Sequence, residues 1–241
     1  MRKEPFSVGS IIHAYNRGNR EELIVKNVKD KWRFLQMLFY FNNRFSPPNI
    51  FRELEKLFRS DLNVQAKQFV WPEIWPTRRS IVKILAFFLA DNHFHLLLEE
   101  IQEGGITMFM RKLGDGMTCY FNKKYQQKGH LFQGAYKARV VDSDIYLRYL
   151  TAYIQVKNPL ELYDGGLENA AKEFDKAFNS AIENPFCSLG DYAGDRNSPI
   201  IDRDILGEMF PSKKEYKKFA KDCILGMNLE EKLGDAVKDL E

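Results

Sequence analysis

Ile84-Leu85-Ala86-Phe87-Phe88-Leu89-Ala90-Asp91-Asn92-His93-Phe94-His95-Leu96-Leu97-Leu98-Glu99 decides the fold class of this chain. Two apolar runs flank Asp91-Asn92 and read as a strand, a short break and a second strand. Side chains two apart on a strand share a face, so His93 and His95 project together while Phe94, Leu96 and Leu98 bury the opposite face. Neutral imidazole is the commonest protein ligand for a divalent metal, so this pair is half of a metal site. The same pair also occurs as ordinary hydrogen-bonded histidines lining a pocket, and the pattern alone leaves both readings open. Glu99 shares the parity, but at strand rise it lies ~13 Å beyond His95 and reads as a solvated strand end.

Towards the N-terminus, Ser10 to Asn16 has strand character, and Arg17-Gly18-Asn19-Arg20 forms a basic turn. His13 in that strand reads as a sheet histidine and not as a ligand. Asp30 is placed to cap a helix through Trp32, Phe34, Leu35, Met37, Leu38 and Phe41. Residues 45–80 read as an insertion with one short amphipathic helix (Phe51, Leu54, Leu57, Phe58) and a segment bearing Trp71 and Trp75.

Towards the C-terminus, Ile106 to about Tyr125 predicts a helix that Gly114 and Gly116 weaken in the middle. A further helix runs from Ile145 to about Lys157 and is stopped by Asn158-Pro159. Tyr146, Tyr149 and Tyr153 lie along one of its faces. Beyond Leu160 we expect an acidic helix through residues 168–183, a Gly/Asp/Asn/Pro-rich stretch from Gly190 to Pro199, two short helical pieces and a frayed end. Strands and helices in this arrangement predict an α+β fold.

Length allows one large domain or a domain with an appendage, and 44% hydrophobic with 14% aromatic residues indicates a globular chain. No apolar run of membrane-spanning length and no signal-peptide stretch is present, so a cytoplasmic protein without a membrane partner is expected. Three scattered cysteines, Cys119, Cys187 and Cys223, argue against a disulfide framework or a zinc knuckle. Charge is divided unevenly. Residues 1–160 carry 25 Lys and Arg against 15 Asp and Glu, whereas residues 161–241 carry 11 against 18. We therefore divide the chain into a basic unit, 1–160, suited to nucleic acid, and an acidic, mostly helical extension, 161–241.

The basic excess concentrates between Arg111 and Arg139, where Arg111, Lys112, Lys123, Lys124, Lys128, Lys137 and Arg139 face a single acid, Asp115. Tyr120, Phe121, Tyr125, Phe132 and Tyr136 are interleaved with them. Cations hold phosphates and aromatic rings stack on unpaired bases, so the pattern suits single-stranded nucleic acid. A half-buried helix with a solvated cationic face is the other reading. Arg17, Arg20 and His130, each in a basic turn, join the candidate DNA contacts.

Four stretches in order resemble the HUH single-tyrosine transposases, most closely the branch of REP-associated tyrosine transposases. They are His13-Ala14-Tyr15-Asn16-Arg17-Gly18-Asn19-Arg20; Asp91-Asn92-His93-Phe94-His95-Leu96-Leu97-Leu98; Tyr120-Phe121-Asn122-Lys123-Lys124-Tyr125, continuing to Gly129-His130-Leu131-Phe132-Gln133-Gly134; and Tyr153-Ile154-Gln155-Val156-Lys157-Asn158-Pro159. The likeness covers roughly residues 8–160, with a looser echo at Cys187-Ser188-Leu189-Gly190-Asp191-Tyr192. It implies a ferredoxin-like antiparallel sheet with helices on one face and the histidine strand at its centre, followed by the helical extension.

The resemblance further implies that Tyr153 attacks a phosphate of single-stranded, hairpin-forming DNA, leaving a 5′-phosphotyrosine and a free 3′-hydroxyl. His93, His95 and one more polar side chain would hold Mg²⁺ or Mn²⁺ as a Lewis acid. Strand joining through such an ester needs no nucleotide cofactor, and no Gly-x-x-x-x-Gly-Lys loop is present. Family members occur as monomers and as homodimers. In the family the third ligand is Asn or Gln four residues after the tyrosine, a position that Lys157 occupies here. Either Asn158, one residue late, reaches the ion through a distorted last turn, or another acceptor serves. Lys157 would then contact the phosphate or favour the tyrosinate. Two other functions share these features: a replication initiator or relaxase-like nickase, and a domesticated DNA- or RNA-binding protein that no longer cuts.

Overall fold

The computed structural model describes residues 6–57 and 69–226. Its core is a four-stranded antiparallel sheet built from β1 (Ile11–Arg17), β2 (Val82–Leu89), β3 (His93–Glu100) and β4 (Lys137–Val141), in the order β2-β3-β1-β4. α1 (Val28–Phe41) and α2 (Ile50–Leu57) lie between β1 and β2, and α3 (Gly105–Tyr125) lies between β3 and β4. With α2 set aside as part of the expected insertion, this is the ferredoxin-like order, and the histidine strand is one of the two inner strands. Phe58, expected on the insertion's helix, and the end of the chain expected to fray lie outside the described residues.

Alternation along the inner strands separates two faces. Ile12, Ala14, Phe94, Leu96 and Leu98 are buried against α1 and α3. Gly116 has a packing reason: a Cβ there would sit 2.4 Å from the Phe41 ring, so the glycine lets α3 approach α1. α1 begins differently from expectation. Its cap is Asn27, whose side chain accepts from the amides of Lys29 and Asp30. Asp30 is instead fully buried at the third helical position. There it accepts from the Lys26 amide, from the hydroxyls of Tyr120 and Tyr125, and from Lys124. A buried carboxylate needs such partners to remain charged, and they tie α1 to the end of α3.

The second face carries Leu85, Ala86, Phe88 and Leu97 and is covered by the chain from α4 (Asp144–Ala152) onwards. α4 leads into a π-helical turn, Tyr153–Lys157, and then into α5 (Asn158–Glu161), α6 (Gly166–Lys172), α7 (Phe174–Glu183), α8 (Leu189–Tyr192), α9 (Asp204–Met209) and α10 (Lys213–Leu225). The acidic segment at 168–183 is thus two helices broken at Glu173. Along β2, the outer edge is closed by residues 186–188: the Leu89 amide donates to the Phe186 carbonyl and the Ser188 amide to the Phe87 carbonyl. This pairing removes an exposed edge.

Two further expectations are corrected. Glu99 is not a free strand end but pairs with Lys83 at 3.2 Å. Asn158-Pro159 does not stop the helix. The wider π turn leaves the Gln155 carbonyl to the Cys187 thiol at 3.4 Å, so Pro159, which has no amide hydrogen and would crowd that carbonyl in an α-turn, is accommodated.

Candidate active site

β1, β3 and β4 are paired in register so that His13, Tyr15, His93, His95, Lys137 and Arg139 share the second face of the sheet. Tyr15 lies opposite His95 on one side and opposite Lys137 on the other. Rings gather around His95: His13 and Tyr15 stack on it at 5.2 and 5.9 Å between centroids, and His93 meets it edge-on at 5.1 Å. The Tyr153 ring also stands perpendicular to His95, at 5.6 Å. Tyr149 packs instead on Phe219, and Tyr146 is half-buried near Arg139.

Both strand histidines have a partner at Nδ1. His93 Nδ1 lies 2.7 Å from Asn92 Oδ1, and His95 Nδ1 lies 3.0 Å from His13 Nε2. Asn92 Oδ1 can only accept, so it fixes the proton of His93 on Nδ1 and leaves a lone pair on Nε2. Burial, then the nearby Arg17 charge, pushes His93 down to about 4. Burial, then electrostatic coupling to the neighbouring His13 and His93 rings and the charges of Arg17 and Lys157, holds His95 well below the ordinary imidazole value. His13 is lowered to about 3 by burial and by Arg139. All three rings are therefore neutral at pH 7, the state that ligates metal.

The π turn shifts the register of the residues after Tyr153. The Asn158 backbone amide donates to the Tyr153 carbonyl, an i to i+5 bond. One extra residue per turn brings position 158 to the angular place that position 157 would hold in an α-helix. Asn158 is buried and its Nδ2 has no hydrogen-bond partner. Lys157 is turned to a salt bridge with Glu161 at 2.7 Å and lies 5.2 Å from the Tyr153 ring centroid.

No group of three or more His, Cys, Asp or Glu able to hold a metal occurs among the described residues. His93, His95 and the Asn158 side-chain oxygen would be the donors for a divalent ion, two borderline imidazoles and one hard oxygen. What favours this fit is the pair of neutral imidazoles on one sheet face, with His93 Nδ1 held by Asn92 so that its Nε2 lone pair is available.

A cleft of about 270 Å³ opens at this end of the sheet, lined by Tyr15, Arg17, His93, His95, Gln133 and Lys137 among others. Tyr153 is 3% exposed and does not line it.

Residues 50–157, which contain His93, His95 and Tyr153, match the family model described as "Transposase IS200 like". This stretch is similar to the IS200-like transposases. The resemblance to single-tyrosine transposases read from the sequence is thereby borne out. A solved structure of a REP-associated tyrosine transposase bound to a REP hairpin is also similar, with 13% identity, 83% of this chain and 88% of that chain covered, and a TM-score of 0.40. No curated protein matches the chain.

The candidate basic residues do not form one track. Arg17 and Lys137 line the histidine cleft, and Arg139 lies beside His13. Arg111 and His130 line a neighbouring cleft. Lys112, Lys123 and Lys124 line a groove with α1 and α2, where Lys112 donates to the Asn43 carbonyl and Lys124 is committed to Asp30. Arg20 and Lys128 are exposed in turns. The sequence reading missed Tyr15 and the bond from His13 to His95. Their parity with one another was visible, but their pairing with β3 was not. No helix among the described residues is long and apolar enough to cross a membrane.

Proposed function

We propose that the chain is a transposase acting in the cytoplasm on single-stranded, hairpin-forming DNA, with Tyr153 as nucleophile. The supporting observation is the contact of Tyr153 with His95, at the start of a π turn that carries Asn158 into the tyrosine's register. His93, His95 and Asn158 would hold Mg²⁺ or Mn²⁺, which when bound supplies Lewis-acid polarisation of the scissile phosphate. The Tyr153 oxygen forms a bond to phosphorus while the bond from phosphorus to the 3′-oxygen breaks. The departing oxygen gains a proton and the phenol loses one, so the products are a 5′-phosphotyrosine and a 3′-hydroxyl. Attack by a 3′-hydroxyl on that ester reverses the step and joins strands. Arg17 and Lys137 are suited to hold the flanking phosphates.

A catalytically silent DNA-binding protein is the second reading, favoured by the burial of Tyr153 and by the Lys157–Glu161 pair beside it. Incubation with labelled hairpin DNA and Mn²⁺, followed by denaturing electrophoresis, separates the two. The transposase reading expects a covalent adduct that Tyr153→Phe abolishes. An adduct mapping to Tyr146 or Tyr149 would move the nucleophile, and no adduct across several hairpins would leave binding alone.

A further inference from the structure

Gly114 and Gly116 both interrupt α3, and only one has a reason in the packing. Gly116 makes room for Phe41, but a Cβ at Gly114 would meet nothing within 4 Å. Glycine is the least favourable helix residue after proline, and an alanine would fit there. What Gly114 does face is a cleft of about 430 Å³, which adjoins the histidine cleft through Asn16, Phe94, Gly134 and Ala135. Omitting the side chain keeps this cleft open.

Its polar lining is selective. Asn16 is spent on the backbone, accepting from the Arg17 amide and donating to the Gly134 carbonyl, and Thr118 donates to the Gly114 carbonyl. Arg111 and Asp115, one helical turn apart, line the cleft, and neither makes an ion pair or side-chain hydrogen bond among the described residues. Tyr136 and Phe132 add aromatic surface.

We infer that this cleft binds one unpaired guanine of the DNA strand whose neighbouring phosphate lies in the histidine cleft. Guanine alone among the bases presents two adjacent acceptors, O6 and N7, matching a guanidinium fork, and two adjacent donors, N1–H and the N2 amino group, matching a carboxylate. Its faces can stack on the aromatic lining. The inference rests on the strand-cleavage reading, because it is that reading which puts a DNA phosphate in the adjoining cleft.

The test uses the full chain and labelled oligo-thymidine strands, plain or carrying one central dG, dA or dC. Wild-type protein is expected to prefer the dG strand roughly tenfold, the discrimination of one good bidentate contact. Gly114→Leu, which projects a side chain into the cleft, should melt no lower than wild type and bind the four strands alike. Asp115→Asn should reduce the dG preference without filling the cleft. A wild-type protein that binds all four strands equally, or a Gly114→Leu variant that keeps the preference, overturns the guanine site. Covalent trapping, run alongside, tells that failure apart from one of the cleavage reading. With neither binding to any strand nor an adduct, both fall.

Discussion

Tyr216 donates its hydroxyl hydrogen to Gln155 Oε1 at 2.6 Å, tying α10 to the middle of the π turn. Gln155 uses its other end to donate to Ser188 Oγ at 2.8 Å, and Ser188 in turn bonds both backbone groups of Phe87 on β2. A buried chain of hydrogen bonds therefore runs from α10 through the turn beside Tyr153 to the edge of the sheet.

Tyr216→Phe should expose the role of this clamp. It keeps the ring but leaves Gln155 Oε1 buried without a donor, which costs about 1–3 kcal/mol. Urea unfolding should report a loss of that size with little change in slope. An unchanged midpoint would mean that the Gln155 amide turns to another donor and that α10 does not hold the turn.

His13 is expected to act on the metal without touching it. If His95 donates its Nδ1 proton to His13 Nε2, the lone pair on His95 Nε2 faces outward for an ion. His13→Phe keeps an aromatic ring and removes the acceptor, so Mn²⁺ affinity should fall about 10- to 100-fold. Titration followed by the electron spin resonance of free Mn²⁺ measures this without any DNA. Affinity equal to wild type would make His13 a packing residue only.

Asp30 should govern part of the acid limit of stability. Burial raises its pKa, but bonds from Lys124, Tyr125, Tyr120 and the Lys26 amide outweigh that and bring it to about 2, against 3.8 for the free group. A carboxylate with a depressed folded-state pKa contributes stability that is present above the unfolded value and lost as pH falls through the folded one. Wild-type stability should therefore decline between about pH 4 and pH 2. Asp30→Asn should be less stable at pH 7 and show a flatter decline across that window. A parallel decline in both proteins would assign the acid limb to other groups.

Much of this was legible in the sequence. Phe94, Leu96 and Leu98 against His93 and His95 set the strand and its faces because a period of two has one solution at a buried sheet. The partners of His95 were not legible, since His13 and Tyr15 reach it through strand pairing over some eighty residues of separation. Asp30 was misread for a local reason: both Asn27 and Asp30 are good caps, and what decided between them was Tyr120, Tyr125 and Lys124, far along the chain. The π turn had a sequence signal in Lys157-Asn158, the extra residue before Pro159, but only the i to i+5 bond revealed how the chain absorbs it.

That extra residue yields the sharpest test of the site. If the π turn carries Asn158 into the third-ligand place, Asn158→Ala should weaken Mn²⁺ binding and covalent trapping together, while Tyr153→Phe abolishes trapping and leaves Mn²⁺ affinity alone. Lys157→Gln puts an amide four residues after the tyrosine, but that side chain now occupies the place of a residue paired with Glu161. It should therefore leave Mn²⁺ affinity within about twofold of wild type, a change below roughly 0.5 kcal/mol. Asn158→Ala combined with Lys157→Gln separates the two geometries: the double variant should bind Mn²⁺ as poorly as Asn158→Ala. Recovery in the double variant would mean that position 157 can face the ion, so that the turn rewinds as an α-helix and the π register is not required for the metal.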